Sequence, residues 1–260
     1  MPRSIANATL ALGLMAAVAL HVRRGEARAG GPDGESVNAA SGALSRSPLA
    51  DGDARGDGTT RSLGTVTLAA KSAEEAGRRI RSAGGATYIG EILQAHDSSL
   101  ARWPDRTGNP LRVWIQRDAR IAGWTPAFVA RVREAFADWD DVGLPVPFAF
   151  VSDSAGADVH VTWREQFDEP ISGRTIWSRD DQWWIVDANI EIAVRNNGSQ
   201  PLDDTSIHAI ALHEIGHLLG LDHSADPRNI MCARVSVRDL STADLATARL
   251  LYTLPAGAVR

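Results

Sequence analysis

Three histidines and one glutamate fall within the eleven residues His213-Glu214-Ile215-Gly216-His217-Leu218-Leu219-Gly220-Leu221-Asp222-His223. On an α-helix, at about 100° per residue, His213 and His217 lie one turn apart on the same face, so both imidazoles can reach one ion. Glu214 lies beside them, a placement that suits a base touching a metal-bound water without taking a coordination position. Gly220 stands where the helix should stop, because glycine accepts the left-handed conformation after a last helical turn. His223 therefore approaches from outside the helix. Three neutral imidazoles leave the fourth position of a tetrahedral zinc open to water, which is the arrangement of a catalytic site and not of a closed structural one. A bare H-E-x-x-H also arises by chance on amphipathic helices; Gly220 and His223 at the required offsets make the pattern specific. The same ligand set would accept copper or cobalt, and zinc is the expected ion.

The pattern H-E-x-x-H-x-x-G-x-x-H resembles the signature of the metzincin zinc endopeptidases. Met231, inside Asp226-Pro227-Arg228-Asn229-Ile230-Met231, resembles their methionine-containing turn. With Ser224 after the third histidine and Leu240-Ser241-Thr242-Ala243-Asp244-Leu245 leading to Tyr252, the stretch from about Ser206 to Tyr252 is most similar to the matrixins. The resemblance implies an α/β fold of zincin type: a mixed twisted sheet with helices, a zinc helix and a small C-terminal subdomain. It implies one catalytic Zn2+ on His213, His217 and His223, with Glu214 taking a proton from the bound water and handing it to the leaving nitrogen. Met231 would form an apolar floor under the imidazoles without ligating, and Asp244 would hydrogen-bond the methionine turn.

The chain also departs from the matrixin pattern. Ala243 replaces a second acidic residue that matrixins use to bind a processed N-terminus, and Ala233 replaces a proline after the methionine. No cysteine precedes Cys232, so latency through a propeptide thiol is not expected. His160 lies where matrixins carry a structural zinc, but partner ligands are not recognisable around Arg164 to Thr175, and no structural zinc is predicted. Asp180-Asp181 and Asp203-Asp204 show no regular ligand loop, so calcium is not predicted either; they read as turn and cap residues.

The sequence has 260 residues, 44% hydrophobic and 23% charged, material for one packed domain plus a tail. Its net charge of -5 gives no footprint for nucleic acid or anionic lipid. Arg3 is followed by an apolar stretch densest from Leu10 to Leu20, which fits a signal-peptide core better than a membrane span of about 20 residues. Ala27-Arg28-Ala29 offers a small-x-small cleavage site, while Ile5 to Val22 followed by Arg23 and Arg24 could act as an uncleaved membrane anchor. The expected division is 1–29 as signal peptide or anchor, 30–85 as flexible linker or propeptide, and 86–256 as the metallopeptidase domain. From Gly25 to about Gly64, Gly, Ala, Ser, Asp and Arg dominate, too little apolar material to offset ordering entropy. Location outside the cytoplasm, secreted or periplasmic, is expected, with membrane tethering as the alternative. Cys232 is the single cysteine, so no intramolecular disulfide can form, and it reads as a small buried side chain.

Around the histidines, the pattern predicts the elements that must position them. Ser72 to Ser82 reads as a short exposed helix or part of a prosegment. Leu111 to Ile115 alternates like a half-buried strand. Thr125 as N-cap and Pro126 at the first helical position open a helix through about Asp141, with an apolar stripe of Phe128, Val129, Val132, Phe136 and Trp139. Phe148 to Val151 and Asp158 to Trp163 read as strands with a turn at Asp153 to Gly156. Thr175 to Val186 reads as a hairpin whose arms flank Arg179-Asp180-Asp181-Gln182, and Ala188 to Ala193 continues as a buried strand ended by Asn196-Asn197-Gly198. By the resemblance, one hairpin arm is the sheet edge along which an extended substrate pairs. Asp204-Thr205-Ser206 reads as the cap of the zinc helix, and Ile207, Ile210, Ala211, Ile215, Leu218 and Leu219 as its buried positions. Ser241 and Asp244 have capping-box spacing. His21, His96, His160 and His208 receive no metal role; His208 is rotated by about 140° from the ligand face.

These readings converge on an exported zinc endopeptidase that cleaves protein or peptide bound in extended conformation. Two alternatives stand beside it: a catalytically silent zinc protein that binds extended peptides, against which the intact Glu214 argues, and an amidohydrolase acting on a non-protein amide.

Overall fold

The alternation along Leu111–Ile115 places Leu111, Val113 and Ile115 in the core, and this strand, β3, pairs on both of its sides. The structure is a computed structural model that describes residues 23–24 and 73–259. The apolar segment at Leu10 to Leu20, the Ala27-Arg28-Ala29 site, the stretch to about Gly64 and His21 lie outside the described residues. In chain order the elements are β1 (Arg23–Arg24), α1 (73–83), a 3-10 turn (Gly84–Ala86), α2 (Ile89–Ala95), β2 (Ser99–Leu100), β3, α3 (Ala127–Asp140), β4 (Phe148–Val151), β5 (Val159–Arg164), β6 (Gly173–Arg179), β7 (Ile185–Ala193), α4 (Asp204–Leu218), α5 (Thr242–Leu251) and β8 (Gly257–Ala258).

The main sheet runs β1-β6-β7-β5-β3-β4. Strands β4, β3, β5 and β7 are mutually parallel, and β6 alone is antiparallel to its neighbour β7. This is the mixed sheet the resemblance implies. β4 and β5 do not pair with each other but lie on opposite sides of β3. α3 makes the crossover from β3 to β4, as parallel pairing requires a long connection. β6 and β7 form the expected hairpin; at its tip Asp180 Oδ1 accepts the N–H groups of Gln182 and Trp184, both at 2.9 Å. β6 is the outer arm, and Arg23–Arg24 pairs parallel with it only at Ser178 and Arg179. A second small sheet joins β2 to β8 and ties the beginning of the domain to its end.

α4 is buried almost all round, from Ser206 to Leu218, because it packs against α3 on one side and β6 and β7 on the other. Two indoles fasten it further: Trp139 Nε1 donates to the Leu212 carbonyl and Trp103 Nε1 to the Leu218 carbonyl, each at 2.9 Å. Its cap differs from the sequence reading. Asp203, extended at φ −86° and ψ 168°, accepts the Ser206 N–H at 2.7 Å, and Asp204 is already the first helical residue. α3 likewise starts one residue late: Pro126 holds the cap position without a side-chain cap bond, and Thr125 contributes only its carbonyl to the Phe128 N–H. α5 has the reciprocal capping box between Ser241 and Asp244. α1 is more than an exposed helix, since Ala76 is buried and Arg79 donates to the Thr253 carbonyl at 2.9 Å. Among the described residues no helix is long and apolar enough to cross a membrane.

Candidate metal centre

His213 and His217 sit one turn apart in α4, and each is locked by a backbone carbonyl. His213 Nδ1 donates to the Ile230 carbonyl at 2.7 Å, and His217 Nδ1 to the Leu221 carbonyl at 2.9 Å. A carbonyl can only accept, so in the neutral rings the proton is on Nδ1 and Nε2 is left bare. The two bare Nε2 atoms face each other at 3.2 Å. Two lone pairs at that separation repel unless a cation lies between them. His223 completes the group: one ring nitrogen from each histidine lies within 4.8 Å of the others, and His223 Nε2 is buried with no hydrogen-bond partner among the described residues. Burial lowers all three imidazoles, to about 4 for His217 and well below the ordinary value for His213, with the charges of neighbouring rings adding to it at these two and Asp222 opposing it at His223. They are therefore neutral at pH 7, the form that ligates. The donor set fits zinc with one position open.

The turn that delivers His223 is a Schellman closure. The Leu221 N–H bonds the Gly216 carbonyl and the Gly220 N–H the His217 carbonyl, both at 3.0 Å, with Gly220 at φ +96°. A Cβ on Gly220 would also collide with the Ala101 carbonyl oxygen, so glycine is required by space as well as by conformation. Beyond the turn, Asp222 Oδ1 accepts the His223 N–H at 2.6 Å and Asp222 Oδ2 meets His96 Nε2 at 2.9 Å. Burial would raise Asp222, but the bonds from His96 and the His223 N–H outweigh it and hold the carboxyl well below the usual range. Glu91 Oε2 accepts the Ala225 N–H at 2.7 Å. α2 and the residue after it thus bracket the loop that carries the third histidine. The sequence gives His96 no metal role, since nothing local links residues so far apart.

Met231 is fully buried, and a Cβ on Gly216 would collide with its Sδ, so the thioether packs directly against the α4 backbone. The preceding residue is held at both ends: the Ile230 carbonyl takes the His213 proton, and the Ile230 N–H bonds Asp244 Oδ2 at 2.9 Å. Cys232 is partly exposed, contrary to the buried side chain expected, because Met231 takes the inward place in the turn. His208 pairs with Asp138 at 3.0 Å and His160 with the Ser154 carbonyl at 2.9 Å, both away from the cluster.

Glu214 is completely buried. Its Oε2 accepts the Thr175 hydroxyl at 2.7 Å, and its Oε1 has no partner among the described residues. Burial pushes its carboxyl up to about 8, with the Thr175 bond and the Arg174 charge opposing. Gly173 and Thr175, two apart on β6 and hence on one face, both meet this carboxylate. Sequence reasoning missed them, as a glycine and a threonine in a strand carry no chemical signature. β6 is the hairpin arm next to the candidate centre.

The family model of the matrixins matches residues 166–253, which hold β6, β7, α4, the methionine turn and α5. Macrophage metalloelastase of Oryctolagus cuniculus is 34% identical over 76 residues, covering 29% of this chain and 13% of that protein. Matrix metalloproteinase-25 of Homo sapiens is 36% identical over 64 residues, 25% and 9% respectively. Metalloendoproteinase 1-MMP of Arabidopsis thaliana is 30% identical over 141 residues, 46% and 36%. The chain thus spans about a third or less of the length of these relatives. With the sheet, the histidine cluster and the methionine turn in the arrangement just described, residues 166–253 are similar to the matrixins in sequence and carry a histidine group that could hold a metal ion.

Proposed function

We propose that the protein is an exported zinc endopeptidase in which Glu214 is the general base. The observation that carries this reading is the pairing of bare Nε2 atoms on His213 and His217 with a buried, singly bonded carboxylate one residue along the helix. A zinc held by His213, His217 and His223 would supply the Lewis acidity that acidifies a water and polarises a carbonyl. Glu214 takes the water's proton on Oε1 and delivers it to the departing amine nitrogen. β6, antiparallel to β7 and outermost of the domain's own strands, offers main-chain groups to an extended peptide. Met231 and Asp244 support the histidines from below. The apolar segment Leu10 to Leu20 supports export.

The test is digestion of an unfolded protein by the full chain and by Glu214→Gln, with zinc measured on both. Equal zinc with cleavage slowed at least about 100-fold in the variant is expected. Zinc bound by both and cleavage by neither would favour a silent peptide-binding protein; cleavage of small amides but not of protein would favour an amidohydrolase.

A further inference from the structure

We infer that Thr175 is a positioning residue for Glu214, and that Gly173-x-Thr175 on β6 forms the seat of the catalytic carboxylate; this rests on the peptidase reading above. Glu214 carries no rigid brace of its own, since a glutamate has three rotatable torsions and the helix fixes only its Cα. The neighbouring strand supplies the brace. Thr175, itself fully buried, places Oγ1 2.7 Å from Oε2 and 3.0 Å from the Glu214 main-chain carbonyl. Its single proton is shared between two acceptors of one residue, the shorter contact being to the carboxylate, so the hydroxyl lies against the backbone of the group whose tip it holds. Gly173, buried one pleat away on the same face, provides the space: a Cβ there would collide with Oε1 and lie 2.8 Å from both Cγ and Cδ. The carboxylate therefore lies flat over the bare strand at residue 173, tied at Oε2 and with Oε1 lacking a partner among the described residues.

This division of labour has a chemical consequence. The proton taken from water goes to Oε1, and Oε2 of the neutral acid is still an acceptor, so the Thr175 bond persists through uptake and delivery. The carboxyl does not have to rotate between the two transfers. Removing the hydroxyl should leave peptide binding and the histidines intact while loosening the base.

The experiment compares the full chain with Thr175→Val, Thr175→Ser and Gly173→Ala in kcat, KM and zinc per chain, with a crystal structure of Thr175→Val. Expected are a kcat loss of about 10- to 100-fold in Thr175→Val at nearly unchanged KM and zinc content, and recovery of most of it in Thr175→Ser. A Glu214 carboxylate moved off residue 173 is expected in the crystal structure. Gly173→Ala should lower kcat by displacing the carboxylate with the hydroxyl intact, which keeps the test alive if Thr175→Val does not fold. Parent-like kcat in Thr175→Val or Gly173→Ala, equal losses in the Val and Ser variants, or an unmoved carboxylate would each overturn the inference. Failure of the parent itself to cut any peptide would sink the peptidase reading instead, and the crystal structure would still decide whether Thr175 holds Glu214.

Discussion

The Tyr88 phenol donates a 3.0 Å hydrogen bond to Asp244 Oδ1 across 156 residues of sequence. The other oxygen of that carboxylate accepts the N–H groups of Ile230 and Ser241, both at 2.9 Å, and the Ile230 carbonyl in turn receives the His213 proton. One buried carboxylate thus joins the start of the domain, the methionine turn, the last helix and, through one peptide unit, a candidate zinc ligand. Burial, with the Asp244 charge beside it, pushes the Tyr88 phenol well above its ordinary value, so it stays a donor at any working pH.

Replacing Asp244 by alanine leaves the buried Tyr88 and Ile230 donors without their acceptor, each costing about 1–3 kcal/mol, and frees the part-buried Ser241 N–H as well. A loss of at least about 3 kcal/mol is expected in urea unfolding. Tyr88→Phe removes one bond and leaves the other two, so its expected cost is about 1 kcal/mol. Equal losses in the two variants would show that the carboxylate does not act as the shared node.

His96 and Asp222 make a comparable link on the other side of the cluster. Asp222 holds the His223 backbone with one oxygen and His96 with the other, so His96→Ala frees the carboxylate to turn and loosens the third histidine. Zinc affinity should fall by about 10-fold, read by competition with a chromophoric chelator. Parent-like affinity would mean that the Schellman turn alone positions His223.

What was legible in the sequence is what local geometry dictates. His213 and His217 are related by one helical turn, Gly220 by the needs of a C-cap, and Ser241 with Asp244 by a capping box; each is a rule about neighbours in the chain. The partners that were missed, Tyr88, Glu91, His96, Gly173 and Thr175, reach the site only because α2 and β6 fold against α4 and its loop. Their residue types are ordinary in those elements. The order of the strands was hidden for the same reason: β4 and β5 follow one another yet pair with β3 on opposite sides, a choice made by the crossover helix. The cap of α4 slipped by one residue because Asp203 and Asp204 are chemically equal candidates, and only the extended backbone at Asp203 separates them.

Gly220 offers a test of conformation against space. Gly220→Ala meets both an unfavourable φ of +96° and the Ala101 carbonyl, whereas Gly143→Ala meets only a φ of +74°, with nothing within 4 Å of the new Cβ. The expected costs are about 1–2 kcal/mol at residue 143. At residue 220 overpacking adds about 1–3 kcal/mol. Equal unfolding free energies for the two variants would show that the backbone at Ala101 yields without cost.

The N-terminus of α4 should respond to acid. The hydroxyl and N–H of Ser206 hold the Asp203 carboxyl below its ordinary value of 3.8, with Arg238 adding to them against slight burial. A carboxyl lowered by folding stabilises the native state above its unfolded value and loses that contribution as pH falls through the folded one. Asp203→Ala should therefore cost about 1 kcal/mol at neutral pH, a typical helix-cap loss. The gap to the parent should close as the pH drops below 3.8, because the parent cap is then protonated too. The comparison belongs on metal-free protein, where acid cannot act by releasing an ion from the histidines of the same helix. Urea midpoints for both proteins across the acid range decide it: a gap that persisted undiminished at low pH would place the contribution of Asp203 in packing and not in its charge.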